Sequence, residues 1–190
     1  MMQTARSLHY ITEEEYLEME RSSEIKHEYY HGEIFAMSGA SFKHNVIVSN
    51  IIGTLGNQLR KKPCHVLPSD MKLKVQGADR YVYPDIIVVC GEKKFFGDKE
   101  DVLMNATVIV EVLSDSTESY DRGDKFAYYR RLDGLKEYVL VLQKHKKLEK
   151  FLKDDRGYWH FFESDEDKNE MVLESIECLL HVDDVYEKVF

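Results

Sequence analysis

Two acidic residues stand in or beside segments that are otherwise almost wholly apolar. Asp85 precedes the apolar run of "YPDIIVV", and Glu111 interrupts the run of "TVIVEVLSD". Strands with so few polar residues are usually covered on both faces, and an ionised carboxylate buried without a partner costs several kcal/mol. A salt bridge, protonation through a raised pKa, or coordination of a cation must therefore compensate.

The spacing of these two acids allows them to act together. Asp85 and Glu111 are 26 residues apart (111 minus 85), and the polar loop "GEKKFFGDKED" between them lets the two strands lie side by side. Two converging carboxylates repel each other, which favours a divalent cation between them, although a structural salt bridge also fits this spacing. Pro84 cannot donate a ladder hydrogen bond, so it indicates a strand start, an edge or a bulge.

Two helices are predicted in the first third of the chain. Thr12 and Glu15 form a capping-box pattern, which predicts a helix over about residues 12–22. Ser41 can cap a longer helix that ends near Lys62 with a basic last turn. Its apolar residues recur every four positions: Ile47, Ile51, Leu55 and Leu59.

The other elements are mostly extended. "KHEYY" and "EIFAM" predict a β-hairpin that turns at His31 and Gly32, and "HVLPSDMKLKV", "YVYPDIIVVC" and "TVIVEVLS" predict three neighbouring strands. A helix over about Tyr120 to Leu132 and the strand "EYVLVL" follow. "LEKFLK", "YWHFFE" and "MVLESIECL" then predict an antiparallel meander, before a helical turn at "VDDVYEKV". We expect a mixed sheet covered by helices, of class α/β or α+β.

Composition narrows the class of protein. A chain of 190 residues is expected to form a single domain, and it contains neither an apolar span of about 20 residues nor a secretory leader, which predicts a cytoplasmic protein. Cys64, Cys90 and Cys178 are widely spaced and odd in number, which indicates buried thiols and not a disulfide framework. The net charge of −9 argues against a wholly basic nucleic-acid surface.

The ordered motifs resemble a known family. "YPDIIVV", "VEVLSDSTESYDRGDKFAYYRR" and "KEYVLV", preceded by "HGEIFAMSGAS", are similar to the bacterial Uma family of proposed restriction endonucleases within the PD-(D/E)XK nuclease superfamily. The similarity covers about residues 27–142. It implies a restriction-endonuclease-like core of helix, three strands, helix and strand. The segments beyond the matched region predict a β extension over about residues 146–190.

One position departs from the superfamily pattern. The triplet that begins at Glu111 should end in lysine, but it ends in Leu113. In the Uma-like branch the lysine is taken to come from the following helix, and the spacing of Asp121, Lys125 and Tyr129 matches that context. Lys125 is therefore the expected replacement. The alternative is an exposed i,i+4 pair between Asp121 and Lys125, worth only about 0.2–0.5 kcal/mol.

The resemblance implies metal-dependent hydrolysis of DNA phosphodiester bonds. Asp85, Glu111 and the backbone carbonyl of Val112 would bind Mg²⁺ or Mn²⁺, and Lys125 would orient the attacking water or stabilise the transition-state charge. The residues that match accessory positions, or that lie on the strand before "PD", are Glu33, His44, Asp70 and Lys72. The basic residues that could contact phosphates are Arg60, Lys61, Lys62, Lys72 and Lys74.

The sequence also fits other functions. The nuclease fold could serve as a catalytically inactive binding or interaction module, or as a metal-dependent hydrolase of another phosphoester. A homodimer is possible, because cleavage of both DNA strands often needs two sites. The aromatic stretch "YWHFF" could form an interface, although an ordinary core strand is the expected use of those rings.

Overall fold

The computed structural model describes residues 10–114, 117–132 and 134–190. Asp115 and Ser116 of the quoted motifs, and the first nine residues of the chain, lie outside this description. The helices are α1 (Glu13–Ser22), α2 (Phe42–Leu59), α3 (Glu118–Tyr120), α4 (Phe126–Tyr129) and α5 (Val182–Val185), with a π-helical turn over Asp121–Lys125 between α3 and α4. In these ranges no helix is long and apolar enough to cross a membrane.

Thirteen strands are found in the described residues. The strands that precede the second acidic motif are β1 (His27–Tyr30), β2 (Glu33–Ala36), β3 (Cys64–Pro68), β4 (Lys72–Val75), β5 (Arg80–Val82), β6 (Ile86–Cys90) and β7 (Val102–Leu103). The others are β8 (Val108–Leu113), β9 (Glu137–Leu142), β10 (Lys147–Lys153), β11 (Trp159–Asp165), β12 (Glu170–Leu173) and β13 (Cys178–His181).

These strands form a six-stranded sheet, a five-stranded sheet and a hairpin. The six-stranded order is β11-β10-β9-β8-β6-β3, with only β8 and β9 parallel, and the five-stranded order is β2-β1-β5-β4-β7. Helix α2 and the β12–β13 hairpin pack on one face of the six-stranded sheet, while α4 and β4–β5 of the five-stranded sheet pack on the other. The predicted mixed α/β class is confirmed.

The faces of β8 explain why a strand of apolar residues can carry an acid. Val108, Val110 and Val112 point to the α2 side, whereas Ile109 and Leu113 point to the side of α4. Side chains alternate along a strand, so Glu111 also points to the α4 side. All six residues of β8 are buried, and the acid therefore lies in an interior layer between the sheets.

Several predicted elements begin or turn at the residues that predicted them. Thr12 and Glu15 make both capping-box hydrogen bonds at the start of α1. The first hairpin turns at His31 and Gly32, both with positive φ. Ser41 caps α2 by accepting from the His44 N–H at 3.1 Å. The predicted basic last turn of α2 is wrong, because the helix ends at Leu59 and the basic residues follow it.

Three segments that were each predicted as one strand are divided. "HVLPSDMKLKV" becomes β3 and β4, and "YVYPDIIVVC" becomes β5 and β6, so each pair is split between the two sheets. "MVLESIECL" folds into the β12–β13 hairpin. Pro68 ends β3, and Pro84 lies between β5 and β6, where its missing N–H would leave a gap in a ladder. The chain therefore crosses between the sheets directly before Asp85.

The predicted state of two cysteines is wrong. Cys64 and Cys90 face each other in the antiparallel register of β3 and β6 and form a disulfide, while Cys178 is a buried free thiol. Widely separated cysteines give no local signal for such a pair, since it depends on which strands become neighbours. The disulfide joins β3, an edge strand of the six-stranded sheet, to β6, which begins directly after Asp85.

Removal of this cross-link should destabilise the protein. The bond closes a loop with a sequence separation of 26, and loops of this size restrict the unfolded chain by about 3 kcal/mol. The double substitution Cys64→Ser/Cys90→Ser should lower the free energy of unfolding in urea by about that amount. Thiol titration of the denatured wild type should find one free thiol before reduction and three after it. Three thiols without reductant would contradict the pairing.

Candidate functional site

The end of β6 and the middle of β8 bring two carboxylates together. The strands pair antiparallel with Ile86 opposite Val110, so the next position sets Asp85 beside Glu111. The Val112 N–H donates to Asp85 Oδ2 at 2.8 Å, and the Asp85 N–H reaches Glu111 Oε2 at 3.4 Å. A backbone N–H on the β8 side thus orients the Asp85 carboxylate, and the backbone N–H of Asp85 lies towards the Glu111 carboxyl.

The helix after β8 supplies a cation to the same place. Lys125 Nζ lies 2.9 Å from Glu111 Oε1 and 3.3 Å from Asp121 Oδ1, and the Tyr129 hydroxyl donates to Glu111 Oε1 at 2.8 Å. Only 9% of the Lys125 side chain and 4% of the Glu111 side chain are exposed. The alternative of a solvent-exposed Asp121–Lys125 pair is therefore wrong, because both side chains are buried.

A π-helical turn orients this lysine. Such turns add a residue to a helix and are frequent at functional sites, and here the turn covers Asp121–Lys125. The Tyr138 hydroxyl on β9 donates to the Asp121 carbonyl at 3.0 Å, which ties the turn to the sheet. Lys125 therefore points towards β8, where the triplet's own third residue, Leu113, packs in the core.

Burial dominates the electrostatics of the site. It raises the pKa of Glu111 to about 8; the Lys125 ammonium opposes this shift, whereas Asp85 and Asp121 add to it. Burial alone would lower the pKa of Lys125, but Glu111 and its other neighbours hold that pKa well above its usual value. Burial also raises the pKa of Tyr129. The lysine thus stays charged and the tyrosine stays a donor at neutral pH.

Of the four accessory residues predicted from the sequence, one lies in the site and three lie outside it. His44 Nε2 lies 3.2 Å from Asp85 Oδ1. Glu33 is exposed on the edge strand β2. The Asp70 side chain is 81% exposed and pairs with Lys26. Lys72 is buried against the rings of Tyr16 and Tyr83, because it points to the face of the five-stranded sheet that α1 covers.

Two of the basic residues expected to contact phosphates have partners within the chain. Lys62 Nζ donates to the Ile176 carbonyl at 2.8 Å and to Glu177 at 2.9 Å. Lys74 Nζ donates to Glu13 at 2.6 Å. Both lysines thus stabilise this chain's own fold, and Lys72 is buried. The expectation of a phosphate-binding surface is therefore wrong for these three, while Arg60 and Lys61 remain exposed after α2.

Sequence reasoning missed a further acid near the site. Tyr29 pairs with Tyr81 across β1 and β5, so Glu28 lies beside Val82, three residues before Asp85. Its charge contributes to the raised pKa of both Lys125 and Tyr129. The available signal was the alternation in "KHEYYHG", which sets Glu28 on the opposite face of β1 from the core residue Tyr29.

Arg80 is a second cation that the sequence did not reveal. Its guanidinium lies between the rings of Tyr30 and Tyr128, at 3.9 and 3.8 Å from their centroids, and donates to the Tyr120 hydroxyl. Tyr120 and Tyr128 flank the π-helical turn. Arg80 thereby fastens the lysine-bearing helix to the five-stranded sheet on the side opposite β8.

The ligand set available for a metal is small. Among the residues that the structure describes, no three or more His, Cys, Asp or Glu side chains are arranged to hold a metal ion. Asp85 and Glu111 are the two carboxylates that converge. A cation here would complete its coordination with backbone oxygen and water.

The chain is similar to proteins described as nucleases. The model of the Uma2 family, described as "Putative restriction endonuclease", matches residues 13–181. Two uncharacterized proteins of Synechocystis sp., slr1290 and sll1609, are each 33% identical to it, over 93% and 78% of this chain and 91% and 84% of their own lengths. A crystal structure described as "a putative nuclease belonging to DUF820" from Anabaena variabilis shares the fold, with a TM-score of 0.76, 16% identity and coverage of 95% of this chain and 99% of that one.

Loss of the buried lysine should make stability depend on pH. The substitution Lys125→Met leaves Glu111 beside Asp85 and Asp121 without the ammonium that lowers its pKa, so the pKa of Glu111 should rise further. At alkaline pH, where the carboxyl ionises without its partner, the free energy of unfolding should fall by up to about 3–5 kcal/mol. A carboxyl whose folded pKa is raised stabilises the fold while it is protonated and loses that contribution as the pH rises through this pKa.

The stability loss of Lys125→Met should therefore be smaller at acidic pH, where Glu111 binds a proton. Urea denaturation well below and well above pH 8 measures this difference. Lys188→Met, at a side chain that is 85% exposed, serves as the control and should change little at either pH. An equal loss for Lys125→Met at both pH values would contradict the assigned charge state of Glu111.

Proposed function

Since the chain belongs to the Uma2 family of nuclease-like proteins, we propose that it hydrolyses DNA phosphodiester bonds with the help of a divalent cation. One observation carries the proposal: a buried lysine from the helix after β8 lies 2.9 Å from Glu111, which lies beside Asp85. This arrangement supplies two carboxylates and an ammonium, as the nuclease superfamily requires, although the lysine comes from a different element.

Asp85 and Glu111, with the backbone carbonyl of Val112, are the proposed ligands of Mg²⁺ or Mn²⁺. Their fit rests on the donor set, since two converging carboxylates repel each other and burial raises the pKa of Glu111 to about 8. Mg²⁺ commonly retains several waters and takes one or two protein carboxylates, so the small ligand set is adequate. When bound, the cation would lower the pKa of a coordinated water and neutralise phosphoryl oxygens.

Lys125 is the proposed partner of the attacking water or of the transition-state charge. A lysine ammonium has three donors, and Glu111 and Asp121 each lie within reach of one. The third N–H is then available to a water or to a phosphoryl oxygen. Tyr129 orients Glu111 through its hydroxyl, and His44 is positioned to do the same for Asp85.

Cleavage of plasmid DNA tests this function. With Mg²⁺ or Mn²⁺ the wild type should nick or cut the plasmid, and Asp85→Asn, Glu111→Gln and Lys125→Ala should each reduce the rate at least about a hundredfold, because each removes a charge next to the reacting group. Asp70→Asn, at an 81% exposed side chain, is the matched control and should cut at the wild-type rate. Activity that survives Glu111→Gln would refute the site.

Metal binding can be measured apart from cleavage. A ligand that binds only the folded state stabilises it by about 2.7 kcal/mol at one hundred times its dissociation constant. Mn²⁺ should therefore raise the melting temperature of the wild type and of Asp70→Asn, but not that of Asp85→Asn. A wild type that neither binds the ion nor cleaves DNA or RNA would identify an inactive module, and cleavage of another phosphoester alone would identify a different hydrolase.

Glu28 should contribute to the same activity. Its charge acts on Lys125 from β1, so Glu28→Gln should lower the cleavage rate about tenfold or more through loss of that field at the ammonium. Glu33→Gln, an exposed acid of the same hairpin, should leave the rate unchanged. Equal rates for both variants and the wild type would remove Glu28 from the site.

A further inference from the structure

In the described residues the six-stranded and five-stranded sheets have four edge strands, and three of them are protected. Edge strands carry unpaired N–H and C=O groups, and proteins limit pairing there by short length, proline or charge. Strand β7 has two residues and β2 has four, while β3 follows Pro63 and ends at Pro68. Strand β11 is different, because it has seven residues, contains neither proline nor lysine, and carries its two acids, Glu163 and Asp165, only in its last three positions.

The free edge of β11 is ready to accept another strand. The Tyr158 carbonyl accepts from the Asp154 N–H at 2.8 Å and so points towards β10. Because backbone groups alternate in direction along a paired strand, the N–H and C=O groups of Trp159, Phe161 and Glu163 point outwards. Three consecutive hydrogen-bonding positions are therefore presented on this edge.

Aromatic side chains stand on both faces of the same strand. Phe161 is 51% exposed and lies on the face of Phe151 and Trp159. Phe162 on the other face is 40% exposed, and Tyr158 before the strand is 67% exposed. The expectation that these rings form an ordinary core strand is therefore wrong for three of them. A further strand beside β11 would cover rings on both faces at once.

We propose that β11 pairs antiparallel with β11 of a second copy of this chain, so that two six-stranded sheets join across a twofold axis. Such an axis perpendicular to the sheet keeps each residue on its own face, which restricts the possible registers. With His160 at the axis, Trp159 lies opposite Phe161 of the second copy. Aromatic pairs directly across an antiparallel ladder are favourable.

In the same register, Tyr158 lies opposite Phe162 of the second copy on the other face of the sheet. A register centred on Phe162 would instead set Glu163 against Phe161 and leave Tyr158 uncovered. Centring on His160 therefore covers more aromatic surface than centring on Phe162. In this register the two His160 residues form a non-hydrogen-bonded pair across the axis. Side chains approach most closely in pairs of this type.

Charge favours a second copy over a nucleic acid at this edge. Glu163 and Asp165 lie at the end of β11, and a phosphate backbone along the strand would meet both acids. Within the chain Glu163 is paired with Lys147 at 2.7 Å, and Asp165 Oδ1 accepts from two backbone N–H groups. In the proposed register Glu163 faces Gly157 of the second copy, so no acid opposes its counterpart.

The mass of the protein in solution tests the pairing. The wild type should sediment as a dimer of two 22.3 kDa chains, and Phe161→Lys, which adds a charge to the edge, should be monomeric at the same concentration. Phe35→Lys is the matched control, since Phe35 is 50% exposed on the edge strand β2, and it should remain dimeric. Circular dichroism should show the wild-type secondary structure for both variants.

A monomeric wild type at every accessible concentration would overturn the proposal, and so would a dimer that survives Phe161→Lys. None of these variants touches Asp85, Glu111 or Lys125, so loss of the dimer and loss of nuclease activity are separate outcomes. A single-stranded oligonucleotide that binds a monomer and quenches Trp159, the only tryptophan, would instead assign the edge to nucleic acid and refute the dimer.

Cysteine cross-linking tests the register. Under mild oxidation His160→Cys should form a disulfide-linked dimer on a non-reducing gel, because each copy of this residue lies at the axis. Glu166→Cys, just beyond the end of β11, should not cross-link, since its two copies lie far apart on opposite sides of the axis. A dimer that cross-links through Glu166→Cys, or that fails to cross-link through His160→Cys, would overturn this pairing.

Discussion

The buried contact between the Lys125 ammonium and the Glu111 carboxyl is the interaction on which the site depends. Glu111 and Asp121 lie within 3.3 Å of the Lys125 ammonium, Asp85 lies beside Glu111, and only 9% of the lysine side chain is exposed. Burial of charge is tolerated only when partners satisfy it, so the lysine permits an acid in the middle of β8. It does not neutralise the cluster, because Asp85 and Asp121 add negative charge that one lysine cannot balance. This excess of negative charge is the physical argument for the divalent cation that we propose.

The irregular points of the backbone are what bring these groups together. The chain leaves the five-stranded sheet at Val82, passes Pro84 and enters the six-stranded sheet at Ile86, which fixes Asp85 at the crossing. The π-helical turn then aims Lys125 at β8 in place of a strand lysine. Leu113 packs in the core, so the strand contributes a buried hydrophobic residue at the position where the sequence resemblance predicts a lysine, and the lysine beside Glu111 comes from the following helix.

Local signals predicted what depends on local physics. The Thr12 capping box and the four-residue spacing of α2 were readable, since both arise from neighbours in the chain. Glu111 stood out because an acid in an apolar strand is costly. The split strands, the Cys64–Cys90 disulfide and the role of Glu28 were not readable, because they depend on which strands become neighbours across long separations. Lys72 illustrates the same limit, since its face of the sheet decides whether it meets solvent or tyrosine rings.

Pairing at the edge of β11 would determine where the two sites of the proposed dimer lie relative to each other. Glu111 points to the face of the six-stranded sheet that carries α4, as do Phe151 and Trp159. A twofold axis perpendicular to that sheet leaves this face unchanged, so in the proposed dimer Glu111 and Lys125 of both copies would lie on the same side of one joined sheet. An axis within the sheet plane would set them on opposite sides. Two sites on one side can address the two antiparallel strands of a single duplex, because a duplex has the same twofold relation between its strands.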